Sequence, residues 1–191
     1  SGSTDSTFAG QITGASGSLT KSGSSTLTIS GTNTYTGTTN VSAGTLLLSG
    51  SLGNTAVTVN DGAELAGGGI ITGTLNLKGN ALLDVMTAIE NSNPLDVAGI
   101  TTFGSGFGID NLTGIDWDIV ANGTYTLING NINTANLANL NLENKLAIGT
   151  LPERYAYLQS GSLQLVVIPE PASAPLASLG AMALLRRRRN D

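Results

Sequence analysis

Asp116 and Asp118, on either side of Trp117, are the side chains whose spacing comes closest to supporting a reaction. On a strand, positions i and i+2 share a face, which would set the two carboxyls near the short end of the roughly 5–9.5 Å used in glycoside hydrolysis. The same pattern serves a solvated turn or a weak calcium site. No Arg, Lys or His stands nearby in sequence to tune either group, so solvated structure is the first reading, ahead of calcium binding and catalysis. The chain has no histidine and no cysteine. That removes the usual general base, the common nucleophile–histidine arrangements, nearly every transition-metal site and all disulfides. No glycine-rich phosphate loop with a following lysine occurs. The expectation is a protein that is not an enzyme, with no catalytic residue, cofactor or metal. Trp117 with Tyr125, or Tyr155 with Tyr157, could offer a sugar-stacking platform, but core or cap packing is the plainer use. The sequons at Asn40, Asn111 and Asn122 arise readily in so Asn- and Thr-rich a chain. Asp61-Gly62 reads as a corner of the backbone and not as a ligand.

Charge narrows the field further. Charged residues make up 11% of the chain, against about a quarter in ordinary soluble domains. Residues 1–168 carry four basic side chains, Lys21, Lys78, Lys145 and Arg154, against 11 carboxylates. An acidic body argues against a nucleic-acid partner, which needs cationic surface. The 26 glycines and few aromatics suit many short strands joined by tight turns, so the class is all-β.

Those strands repeat. Val41, Val59 and Leu77 fall at a constant interval of 18, and so do Gly44, Gly62 and Asn80. Gly and Asn take positive φ cheaply, as a tight corner needs. Each corner is followed by a second apolar run: 45–48, 63–65 and 81–85. A looser copy runs from Leu19 through Gly23 to Ile29. Alternation sends Val41 and its equivalents inward, and Asn40, Thr58 and Asn76 outward. One such unit cannot bury its apolar stripe alone; stacked copies can. The expected architecture is a parallel β-helix, or β-solenoid, with an antiparallel meander as the competing arrangement.

Residues 17–50 closely resemble the autotransporter-associated β-strand repeat, and 51–85 more loosely. The likeness lies in Gly17 to Gly23, Ser25 to Gly31, Asn33-Thr34-Tyr35-Thr36-Gly37 and Val41 to Gly50. The resemblance implies a large exported passenger-type protein with a right-handed parallel β-helix. No transporter barrel follows in this sequence, so export through a fused barrel is not expected. The start at Ser1, without Met or signal features, reads as the C-terminal part of a longer protein.

Beyond Val85 the regularity fades, and inserts such as Glu90 to Pro94 interrupt the alternation. Residues 86–168 are expected to continue or cap the β region, because an open last coil exposes a pairing edge. Leu137, Leu140, Leu142 and Leu146 resemble one leucine-rich repeat, but that architecture needs several copies. The end differs in kind. Pro169-Glu170-Pro171 precedes an apolar stretch, and Arg186, Arg187, Arg188 and Arg189 follow it. The 14 residues 172–185 fall short of the roughly 20 that span a bilayer comfortably. The basic run should stay cytoplasmic and leave the β region outside.

This order of parts resembles the PEP-CTERM sorting domain. The resemblance implies an exosortase-type sorting peptidase as partner, transient passage of 172–185 through the inner membrane, and a Gram-negative envelope. Delivery would be to the cell surface or the extracellular matrix. The sequence therefore divides into β-solenoid repeats (1–85), a continuing or irregular capping β region (86–168) and a sorting signal with a short apolar helix (169–191). The expected role is an exported structural or adhesive protein, with extracellular polysaccharide as a candidate partner. The alternatives are the C-terminal part of a carbohydrate-active β-helix enzyme whose catalytic coils lie upstream, and a passive spacer.

Overall fold

The computed structural model describes residues 4–133, 146–147, 154–159 and 162–169. In chain order the strands are β1 (Ser6–Phe8), β2 (Leu19–Lys21), β3 (Thr26–Ile29), β4 (Thr39–Val41), β5 (Thr45–Leu48) and β6 (Ser51–Leu52). Next come β7 (Ala56–Val59), β8 (Glu64–Ala66), β9 (Ile70–Ile71), β10 (Thr74–Leu77) and β11 (Leu82–Asp84). A short helix, α1 (Met86–Asn91), precedes β12 (Leu95–Phe103), β13 (Leu112–Thr113), β14 (Gly123–Ile132), β15 (Leu146–Ala147), β16 (Arg154–Gln159) and β17 (Leu163–Pro169). The class is all-β. Among the described residues the only other helical turn is a 3-10 turn at Ile109–Asn111.

The chain lays successive strands alternately into two sheets. One runs β1-β3-β5-β8-β11-β13, and the other begins β2-β4-β7-β10-β12-β14. Every one of these pairings is parallel, each strand lying beside the one laid down a circuit earlier. A third, narrower ladder joins β6, β9 and the first half of β12. Tight Gly and Asn turns on short alternating runs produce this, because each run can bury one face only.

The registers place like on like. Lys21, Val41, Val59, Leu77 and Phe103 form one inward row, and Leu19, Thr39, Val57, Leu75 and Thr101 the next. Leu27, Leu46, Leu65, Leu83 and Leu112 face them from the other sheet. Leu52, Ile71 and Val97 close the third side. Val41, Val59 and Leu77 are fully buried, with Asn40, Thr58 and Asn76 on the other, partly exposed face. The 18-residue interval holds from Val41 to Leu77, but it is 20 from Lys21 to Val41 and 26 from Leu77 to Phe103. Turns and inserts absorb the extra residues outside the ladders, so pairing survives the change of period.

Three local features depart from the regular repeat. Gly23, Gly44 and Gly62 take φ of 76°, 66° and 74° at their corners, but Asn80 does not take positive φ. Its turn closes instead with the Ala81 N–H donating to the Lys78 carbonyl (3.1 Å). The Glu90 to Pro94 insert begins on a helix: α1 occupies 86–91, buries Ala88 and ends at Ser92 in the left-handed conformation (φ 53°). Six residues give too little periodicity to announce a helix. Finally, pairing reverses at the C-terminal side: β14, β17, β16 and β15 run antiparallel to one another.

Glu170, Pro171, the stretch 172–185 with its expected apolar helix, and Arg186 to Arg189 lie outside the described residues. So do Leu137, Leu140 and Leu142. Pro169 ends β17, opposite Arg154. No described helix is long and apolar enough to cross a membrane.

Candidate functional site

The polar residues of the repeat turn inward. Asn33 is buried, and its Oδ1 accepts from the Ile12 N–H (2.8 Å). Its Nδ2 donates to the carbonyls of Gly31 (3.1 Å) and Ser51 (3.0 Å). One amide thus bridges three successive circuits with every bond to backbone.

Beside it, Tyr35, Thr39 and Thr55 form a chain of hydroxyls with essentially no exposure. Thr55 donates to the Gly37 carbonyl (2.5 Å), so it can only accept across the 2.9 Å contact with Thr39. Thr39 then has no proton left for Tyr35, and the phenol must be the donor at 2.5 Å. Burial raises the Tyr35 pKa above its ordinary 10.0, keeping it in that donor form.

Lys21 is also inward, 4% exposed, with Nζ donating to the carbonyls of Ser22 (3.1 Å), Gly23 (2.7 Å) and Ala43 (2.9 Å). Three donors meet three acceptors without a carboxylate. Gly44 keeps the room for this: a Cβ there would sit 2.3 Å from the Gly23 carbonyl oxygen and 2.7 Å from Lys21 Nζ.

The other chemistry-bearing residues lie toward the antiparallel end. Asp116 and Asp118 are not on a strand; 117–119 form a turn. Asp116 Oδ1 accepts from the Asp118 N–H (3.0 Å), and its carbonyl from the N–H groups of Ile119 (3.2 Å) and Val120 (2.9 Å). The pair therefore does not share a strand face, because an Asp in a short polar segment closes a turn on its own backbone. Trp117 and Tyr125 are half-buried against the core, and the Tyr125 hydroxyl donates to the Ala121 carbonyl (2.8 Å).

Tyr125 also walls an open groove of about 270 Å³ whose sides include Ile89, Ile115 and Ile119. Glu90 and Asp116 line it too, a pairing that sequence distance conceals. Among the described residues, no group of three or more acidic side chains gathers to hold a metal.

Other sequence candidates fall into structural roles. Asp61 Oδ1 accepts from the Asn80 N–H (2.8 Å) at the corner. Asn40 Oδ1 accepts from Asn60 Nδ2 (2.6 Å). Asn111 is buried and spans the carbonyls of Gly79 (3.2 Å) and Ala81 (2.8 Å), while Asn122 is exposed. Tyr157 is half-buried on β16 between the buried Ala156 and Leu158.

The segment from Leu19 to Leu48 thus combines an inward cation, a bridging amide, two of the three chained hydroxyls and four strands. Residues 19–48 match the family described as the passenger-associated-transport-repeat. The matched repeat starts with β2 and ends with β5, so its polar positions include Lys21, Asn33, Tyr35 and Thr39. It suggests an exported, passenger-like surface protein. Searches of curated proteins and of solved structures gave no match.

Proposed function

We propose that the chain is part of an exported right-handed β-solenoid shaft that serves the cell surface or matrix as a structural or adhesive element, and that it has no turnover of its own. The observation that carries this is the unbroken parallel register through Lys21, Val41, Val59, Leu77 and Phe103, which begins inside the matched repeat. Residues of the repeat that could do chemistry are spent on internal hydrogen bonds, Lys21 and Asn33 to backbone and Tyr35 and Thr39 to other hydroxyls, and Asp116 is engaged in its own turn. Binding is then by area along the outward faces, with extracellular polysaccharide as the partner class.

The second half of the proposal concerns the end of the chain. Pro169, Glu170 and Pro171 form the motif read by an exosortase-type peptidase. Residues 172–185 enter the inner membrane transiently, and Arg186 to Arg189 hold the far side in the cytoplasm, where moving them across is costly. Intact-mass analysis of surface protein, beside material from cells lacking the peptidase, tests this. Loss of the arginine run only in the former is expected; surface protein that still carries Arg186 to Arg189 refutes the sorting role. Screening the purified chain against acidic and neutral polysaccharides tests the rest. Turnover abolished by Asp116→Asn refutes the structural reading.

A further inference from the structure

We propose that the chain's own apolar tail, residues 174–185, docks in the groove between α1 and the 115–120 turn, with the arginine run against the groove's carboxylates. This rests on reading 169–191 as a segment apart from the β body, and adds where that segment goes before a membrane takes it. The groove is apolar in its walls, with Ile89, Ile115, Val120 and Tyr125. Ile119, on the same wall, is 78% exposed, more than any other large hydrophobic side chain among the described residues. Such a surface is stable in water only at a cost that a cover removes.

Position identifies the cover. β17 runs antiparallel to β14 with Val167 opposite Gly123. Tyr125, a wall of the groove, stands opposite Leu165 in that register, four residues before Pro169. The tail therefore follows the strand that neighbours the one carrying this groove wall, with the two strands ~4.8 Å apart. The four residues 170–173 reach up to roughly 14 Å, enough to deliver the apolar stretch to the groove.

Charge agrees with position. Glu90 and Asp116 line the groove without any Lys or Arg among its residues, and exposed Asp118 adjoins them. The arginine run holds four of the eight basic residues of the chain. Docking hides the apolar tail from water and from other copies until a bilayer competes for it.

The chain contains no cysteine, so an introduced pair is the only pair. The full chain carrying Ile119→Cys and Leu179→Cys should close an intramolecular disulfide under mild oxidation at least tenfold faster than one carrying Ser24→Cys and Leu179→Cys. Ile119 is exposed, so the substitution leaves the fold intact. Glu90→Lys or added salt should slow closure, and phospholipid vesicles should suppress it. Equal rates for the two pairs, or cross-links formed only between molecules, overturn the docking. Selective cross-linking with an unprocessed arginine run at the surface overturns the sorting role instead, and the reverse pattern overturns the docking alone.

Discussion

Replacing Asn33 by Ala tests whether the buried amide holds neighbouring circuits together. The Ser51 carbonyl keeps a partner, since it also accepts from the Asn33 N–H (2.9 Å), and the Gly31 carbonyl keeps the Ser51 N–H (3.1 Å). The Ile12 N–H, whose acceptor is Asn33 Oδ1, loses its partner. Two side-chain donations at about 1 kcal/mol each, plus an orphaned, partly buried amide, give a loss of about 2–3 kcal/mol. Thr34→Ala, at the exposed neighbouring position, should stay within about 0.5 kcal/mol. Urea unfolding of the full chain, followed by far-UV circular dichroism, measures the total. Hydrogen exchange of the Ile12 amide measures the local part, because protection reports opening of that circuit. If Asn33→Ala costs under 0.5 kcal/mol and leaves Ile12 protection unchanged, the bridging role is wrong.

Val59→Asp should destabilise by about 3 kcal/mol or more in the same urea assay, since it sets an unpaired charge in a fully buried row. Thr101→Val should raise the unfolding midpoint by an amount equivalent to about 1 kcal/mol, because Thr101 Oγ1 is buried without a hydrogen-bond partner. Stability should also fall as pH rises beyond about 10, the ordinary tyrosine pKa. With the folded Tyr35 pKa raised, the unfolded chain releases its proton first, so the contribution is whole below 10 and declines up to the folded value. Tyr35→Phe should remove that part of the alkaline loss in a pH series of urea titrations.

Val41, Val59 and Leu77 could be read from the sequence because their interval is constant and their neighbours alternate cleanly. Phe103 belongs to the same row but escaped, since α1 and its flanks lengthen that circuit without disturbing the ladder. Lys21 escaped for a different reason: alternation puts it inward, while its charge argues outward, and only the Ser22, Gly23 and Ala43 carbonyls resolve the conflict. Thr39 and Thr55 look like any strand threonines until Tyr35 is seen beside them. At the candidate site, Asp116 and Asp118 stood out by spacing, yet that spacing fits a turn as well as a strand. Glu90 could not be joined to Asp116 without knowing that α1 packs beside the turn.

The parallel ladders carry a mechanical consequence. Ladder hydrogen bonds between circuits point along the direction of stacking, and among the described residues each of the two long parallel ladders joins a circuit only to those on either side of it. A load applied between the chain ends is therefore borne in series, and the weakest circuit gives way first. Among the described residues β1 is exposed at all three of its positions and pairs with β3 alone, so it is held by one ladder where β3 and β5 are each held by two. A released circuit of 18 residues, as from Val59 to Leu77, adds about 60 Å of extended chain. Such a body lengthens in steps under tension while the circuits behind the break keep their register.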